Sequence, residues 1–179
     1  MVMRIGIIGL GTVGRAIKNG FADNHEVYVH DILFDTKISD ITENAKIAYI
    51  AVPTPSISES GECDTSLVEE VLEQLPDGFK AVIKSTIIPG TTERLQRSFP
   101  RLKIACSPEF LRTEKSEEDF QNQDILIVGT HHKDLAEEVF EHHIEAGIID
   151  REGCFQVTPT LAELIKYASN AFLAVKISY

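Results

Sequence analysis

Long apolar runs are missing from these 179 residues. No stretch approaches the ~18 consecutive apolar residues of a membrane-spanning helix. Basic charge is scarce: 17 Lys and Arg stand against 28 Asp and Glu, a formal net charge of −11. Nucleic acid and anionic lipid both demand a basic surface, so this balance excludes a non-specific binder of either. It leaves room for one local basic pocket around a phosphorylated ligand. Cysteine is sparse too. Cys63, Cys106 and Cys154 form neither a metal-ligand spacing nor an even disulfide framework. A reduced, cytoplasmic protein is the simpler expectation. Repeats and low-complexity tracts are lacking, and the chain opens directly into an apolar run, which argues against a signal peptide.

What is present is ordinary for a globular chain: 43% hydrophobic and 25% charged residues. The length suffices for one full domain and the start of a second. Short apolar runs alternate with helical periodicity, which predicts an α/β fold with a parallel sheet. Strands are expected at residues 4–8, 26–30, 46–52, 81–83, 103–105, 124–128 and 155–157. Helices are expected at 12–22, after a Ser66-x-x-Glu69 capping box, after Pro89-Gly90-Thr91-Thr92, and at 133–144. Residues 32–45 have room for only a small helix, 56–63 form a polar loop, and the charged 111–123 stretch reads as an exposed loop or short helix. From Thr160 a strong helix runs to Tyr179 with no capping glycine or proline. It reads as an unfinished element, and the chain as the front part of something larger.

The first strand carries the sharpest motif. Arg4–Gly14 reads RIGIIGLGTVG, an apolar β-branched run closed by Gly9-x-Gly11-x-x-Gly14. Gly9 permits a tight turn, Gly11 lets the backbone approach a pyrophosphate, and Gly14 lets the following helix pack close to the strand. Thr12 and Val13 open that helix, whose free N–H groups and dipole favour phosphate. Asp31 ends the second strand about 20 residues beyond this turn, where a carboxylate accepts hydrogen bonds from the adenosine ribose. It would repel a 2′-phosphate, so NAD is favoured over NADP. The expected fold is Rossmann-type and doubly wound, with a mostly parallel sheet over residues 1–158. The start of a long central helix follows at 159–179.

Further segments follow in order: Ala51-Val52-Pro53-Thr54-Pro55, Lys84-Ser85-Thr86, Pro89–Glu93, Ser107-Pro108-Glu109-Phe110-Leu111-Arg112, and Ala162–Asn170. With Gly9–Gly14 and Asp31 they resemble the N-terminal part of the UDP-glucose/GDP-mannose dehydrogenase family across nearly the whole chain. Pro53, Thr86 and Glu109 each follow a strand, so they should gather at the carboxyl edge of the sheet, where such folds bind ligands. Pro53-Thr54-Pro55 would form a rigid loop over the cofactor, with Val52, Pro53 and Thr54 as cofactor-binding residues. Glu109, beside Phe110 and Leu111, has a partly apolar setting suited to general-base duty. Lys166 and Asn170 share a helix face with Glu163. By spacing alone that face is a solvated stripe opposite Leu161, Ile165, Ala168 and Phe172.

The resemblance implies oxidation of a nucleotide sugar's primary alcohol to a carboxylate with two NAD⁺, through a thiohemiacetal and thioester on a cysteine. It implies Lys166 as the oxyanion stabiliser, Asn170 as its assistant, and Glu109 and Thr86 as residues that position or activate water. It also implies a homodimer built on the central helix. Two departures stand out. Thr113 occupies the place of the family's second glutamate, with Glu114 in the following glycine place. The family's nucleophilic cysteine lies downstream of the helix that begins near Thr160. Cys106, at a strand end near Glu109, is the best local substitute, although a buried small hydrophobe is the commoner role. His131-His132 and His142-His143 stand about ten helical residues, roughly 15 Å, apart. One ion cannot bridge them, so no metal site is expected and both pairs read as surface histidines. The competing readings are a β-hydroxyacid dehydrogenase and a non-catalytic NAD-binding module.

Overall fold

The computed structural model describes residues 1–57 and 63–178. Residues 58–62 of the expected polar loop, and Tyr179, lie outside the described residues. The strands are β1 (Arg4–Ile8), β2 (Glu26–His30), β3 (Ile47–Ile50), β4 (Lys80–Ile83), β5 (Lys103–Cys106), β6 (Leu126–Gly129) and β7 (Cys154–Val157). The helices are α1 (Thr12–Phe21), α2 (Ile38–Thr42), α3 (Ser66–Gln74), α4 (Thr91–Ser98), α5 (Ser116–Gln121), α6 (Lys133–Glu145) and α7 (Pro159–Ser178). One sheet runs in the order β2-β1-β3-β4-β5-β6-β7. All its pairings are parallel except β5 with β6. The expected doubly wound, mostly parallel sheet is therefore what the chain forms.

Period-2 alternation sends side chains to both faces. Ile5, Ile7, Ile47, Tyr49, Val82 and Ala105 enter one core with Ile17, Phe21, Phe120 and Val139. Ile8, Ala48, Ile50, Ala81, Ile83 and Ile104 enter the other with Val68, Leu72 and Leu95. Strands buried on both faces explain why the sequence shows apolar runs rather than polar–apolar alternation. The third strand stops at Ile50, short of the predicted 46–52. Ala51 still donates to Ile8 O at 2.8 Å, and Pro53, two residues on, has no N–H to continue the ladder.

Three local expectations are corrected. The capping residue of α3 is Thr65, not Ser66: Ser66 is already helical, and its N–H goes to Asp64 Oδ1 at 2.9 Å. The Thr65 hydroxyl donates to Glu69 Oε1 at 2.8 Å. The charged 111–123 stretch does form a short helix, α5, but it buries Phe120 completely against α1. His142 and His143 are not surface residues. Both are buried, because the helical period places them on the inward face of α6 with Leu135, Val139 and Phe140. His131, at the other end, is exposed as expected.

Candidate functional site

The carboxyl ends of β1, β3, β4 and β5 lie side by side, so the loops that follow them share one edge. β1 lies between β2 and β3, so the chain direction across the sheet reverses there and opens a crevice. A cleft of about 430 Å³ occupies that edge. Gly11, Thr12 and Val13 line one side, Val52, Pro53 and Thr54 another, and Lys84, Thr86, Glu109 and Lys166 its floor and far end. A narrower apolar cavity of about 150 Å³ continues past Gly9 to Asp31, between Ile32, Pro53, Leu67 and Val71.

The glycine turn meets the geometric demands of its motif. Gly9 has φ +92°, and a Cβ there would lie 2.7 Å from Ala51 O. A Cβ on Gly14 would lie 1.8 Å from Gly9 O, so only glycine lets α1 approach the turn. Around Gly11, by contrast, a Cβ would meet nothing within 4 Å. That open space lies at the start of α1, which has no acidic residue in its first turn and no side-chain cap. The arrangement fits a pyrophosphate held by free backbone N–H groups.

Asp31 caps the other end of the crevice. Its carboxylate accepts the Leu10 N–H at 2.6 Å and the Leu33 N–H at 2.9 Å. These two backbone donors, Leu10 first, hold its pKa below the usual aspartate value. A fixed, ionised carboxylate with spare lone pairs suits two ribose hydroxyls. The loops over the cleft are tied together as well. Thr54 Oγ1 donates to Thr86 O at 2.7 Å, and Ser85 Oγ donates to Val52 O at 2.6 Å.

At the far end Glu109 is buried and paired with the ammonium of Lys84, whose side chain is fully buried. Lys84 also donates to Ser107 Oγ at 3.1 Å. Among the described residues Glu109 Oε1 has no well-directed hydrogen bond, so Lys84 meets it as a charge contact. The setting of Glu109 is thus governed by a cation as well as by apolar neighbours. Lys166 comes from α7 and is half-buried, its Nζ 5.4 Å from the Phe110 ring centre. Burial lowers its pKa, and the charge of Glu109 partly offsets this. Asn170, one turn further along, is exposed and does not line the cleft.

Glu163 is the largest departure from the sequence reading. It is buried rather than part of a solvated stripe. Its carboxylate accepts the Gly90 N–H at 2.6 Å, the Thr92 N–H at 2.7 Å and the Thr92 hydroxyl at 2.6 Å. It therefore caps α4 across the fold. α7 accordingly docks through Ala162, Glu163 and Lys166, while Leu161, Leu164 and Phe172 face outward. The signal was the Pro89-Gly90-Thr91-Thr92 helix start, which has no capping side chain of its own. Lys84 carried a weaker signal, a charged residue directly after an apolar strand. Cys106 is a buried thiol pushed up to about 12 by desolvation, and it donates to Pro159 O at 3.5 Å. That is a packing role, not a nucleophile's.

The sheet order, the glycine turn and the carboxylate at the end of β2 together define a dinucleotide-binding α/β domain of Rossmann type. Comparison with known proteins narrows the class. The profile of the UDP-glucose/GDP-mannose dehydrogenase family, NAD binding domain, matches residues 26–144, and the chain belongs to that family. The UDP-glucose 6-dehydrogenase of Rickettsia felis is 37% identical over 147 residues, covering 76% of this chain and 32% of that protein. The UDP-glucose 6-dehydrogenase AglM of Haloferax volcanii is 34% identical over 179 residues, covering 89% of this chain and 41% of that protein. The solved UDP-glucose dehydrogenase of Pyrobaculum islandicum superposes with a TM-score of 0.80 at 24% identity, covering 99% of this chain and 51% of that one. The chain thus spans between about a third and two-fifths of the length of these two curated relatives. Its domain is the NAD-binding, cofactor-carrying part of the family's fold.

Proposed function

We propose that the chain supplies the cofactor half of an NAD-dependent oxidation of a nucleotide sugar of the UDP-glucose kind, from primary alcohol to carboxylate. The supporting observation is the convergence of Thr86, Glu109 and Lys166 on the cleft that the Gly9–Gly14 turn also opens onto. Bound NAD⁺ would accept hydride there, with its pyrophosphate over Gly11, Thr12 and Val13 and its ribose at Asp31. Val52, Pro53 and Thr54 would cover it. Lys166 would face the developing oxyanion as a nearby cation. Glu109 and Thr86 would orient or activate water; Asn170, outside the cleft one turn beyond Lys166, would assist it only from that neighbouring turn. Residues 1–158 form the NAD-binding unit in this reading, and 159–179 begin a central helix. The outward stripe of α7 supports a homodimer through that helix. Among the described residues no helix is long and apolar enough to cross a membrane, and we place the protein in the cytoplasm. The family match favours this over a β-hydroxyacid dehydrogenase.

The test is direct. The purified 179-residue chain should bind NAD(H) in a fluorescence or calorimetric titration and should not turn over UDP-glucose. Steady formation of UDP-glucuronate by the chain alone would overturn the assignment of only the cofactor half. Absence of NAD(H) binding would overturn the reading itself.

A further inference from the structure

Glu109 lies between two lysines from different elements. Lys84 reaches it from the end of β4 and is buried completely. Lys166 approaches from α7 and feels the same carboxylate, yet among the described residues it forms no ion pair and rests over Phe110. The other titratable groups packed around the pair are held neutral by burial. The Cys106 thiol on β5 and the Tyr49 hydroxyl on β3 are raised, and the His143 ring on α6 is lowered. Glu163, on α7, is committed to Gly90 and Thr92. The floor of the cleft therefore holds one carboxylate, Glu109, already in contact with Lys84, and a second lysine, Lys166, that lines the same cleft.

We infer that Lys84 is a positioning residue: by holding Glu109 from beneath, it keeps the carboxylate from closing onto Lys166 and leaves that amine free to face a reacting group. Charge attraction rises steeply at short separation, so a carboxylate already in contact with one ammonium gains less from moving to another. Ser107 holds the Lys84 ammonium in place through its hydroxyl. Without Lys84, Glu109 would be a buried charge lacking a partner, an unfavourable state. The replacement that lines the same cleft is Lys166, whose long stem lets it swing. Lys166 would then be tied to Glu109 and held charged. The inference rests on the proposed reading of Lys166 and Glu109 as cleft residues, but its test needs no turnover.

The experiment follows acylation of Lys166 by acetic anhydride across pH, read by peptide mass spectrometry on the 179-residue chain. In Lys84→Met the modification profile should move to higher pH, with a rate at pH ~8 about tenfold lower, the effect of one unit in the amine's acidity. Lys84→Arg keeps the cation and should retain the parent profile. Glu109→Gln removes the contested carboxylate, so adding Lys84→Met to it should produce little further change. If Lys84→Met does not fold by circular dichroism, Lys84→Leu, which likewise carries neither charge nor donor, serves instead and should shift the profile the same way. An unchanged Lys166 profile in the folded variant overturns the inference. So does a shift of equal size in the Glu109→Gln background, which would come from the lost charge alone. NAD binding, measured alongside, separates the outcomes: its absence in the parent chain overturns the proposed function, while the Lys166 profile decides the role of Lys84.

Discussion

Asp31 and Glu163 are both carboxylates satisfied by backbone N–H groups, but they face opposite demands. Asp31 stands at the rim of the narrow cavity beside Gly9, with lone pairs left over. Asp31→Asn should lower the preference for NAD over NADP about tenfold or more, since a hydrogen bond to a charged group contributes roughly 1.5–3 kcal/mol. Parallel affinity titrations with both cofactors check this, and an unchanged ratio would remove Asp31 as the ribose ligand. Glu163 is fully engaged and buried. Glu163→Ala would strand two backbone donors and a hydroxyl, a loss on the order of 2–3 kcal/mol in urea unfolding. A loss below about 0.5 kcal/mol, the worth of an exposed helical pair, would return Glu163 to a solvated face. Glu109, which its place after a strand marked as a candidate site residue, needed the tertiary structure to reveal its partner. Lys84 lies 25 positions earlier in the chain, and only the parallel pairing of β4 with β5 brings the two together.

Among the elements, α6 makes the clearest thermodynamic statement. Its two C-terminal histidines enter an aromatic cluster with Phe21, Tyr49 and Phe120. The Tyr49 hydroxyl and His142 Nδ1 lie 2.7 Å apart, and His143 Nδ1 lies 2.7 Å from Val139 O. Burial lowers the His142 pKa to about 3 and that of His143 well below the usual value. Both rings are therefore neutral in the folded protein, whereas the unfolded chain takes up protons near pH 6.5. Between those values the unfolded state holds more protons, so stability rises with pH. The contribution is complete above about pH 6.5 and is lost progressively as pH falls towards 3. Urea midpoints should thus drop steeply from pH ~7 to 5, and less steeply in His142→Gln, whose amide can still meet Tyr49. Equal slopes would show that carboxylates, not these rings, govern acid lability. The α6 pattern was readable at 3.6-residue spacing, since Val139 and His143 share a face. A histidine's polarity argued the other way, and the tertiary core overrode it.

At the scale of the whole molecule, α7 couples the sheet to the outside. Its inner face carries Glu163 and Lys166, while Leu164 is 52% and Phe172 68% exposed. A stripe of that kind on a chain of net charge −11 resists non-specific association yet favours one specific apolar contact. If the stripe forms the proposed homodimer, Leu164→Asp with Phe172→Asp should abolish that dimer in sedimentation velocity while leaving NAD binding intact. Unchanged sedimentation would exclude the stripe as the interface.

The alternation of apolar runs and helical periods, the glycine turn and Asp31 are local features. Backbone sterics and strand burial act on neighbours in sequence, so the sheet and the glycine-turn end of the cleft were legible from residues alone. The direction in which α7 presents its faces was not. Its spacing put Glu163 on a solvated stripe, but capping α4 and burying Ala162 against β6 turned that face inward. The Lys84–Glu109 pair was equally hidden, because burial compensates a charge only with a partner, and that partner is chosen by which strands lie side by side.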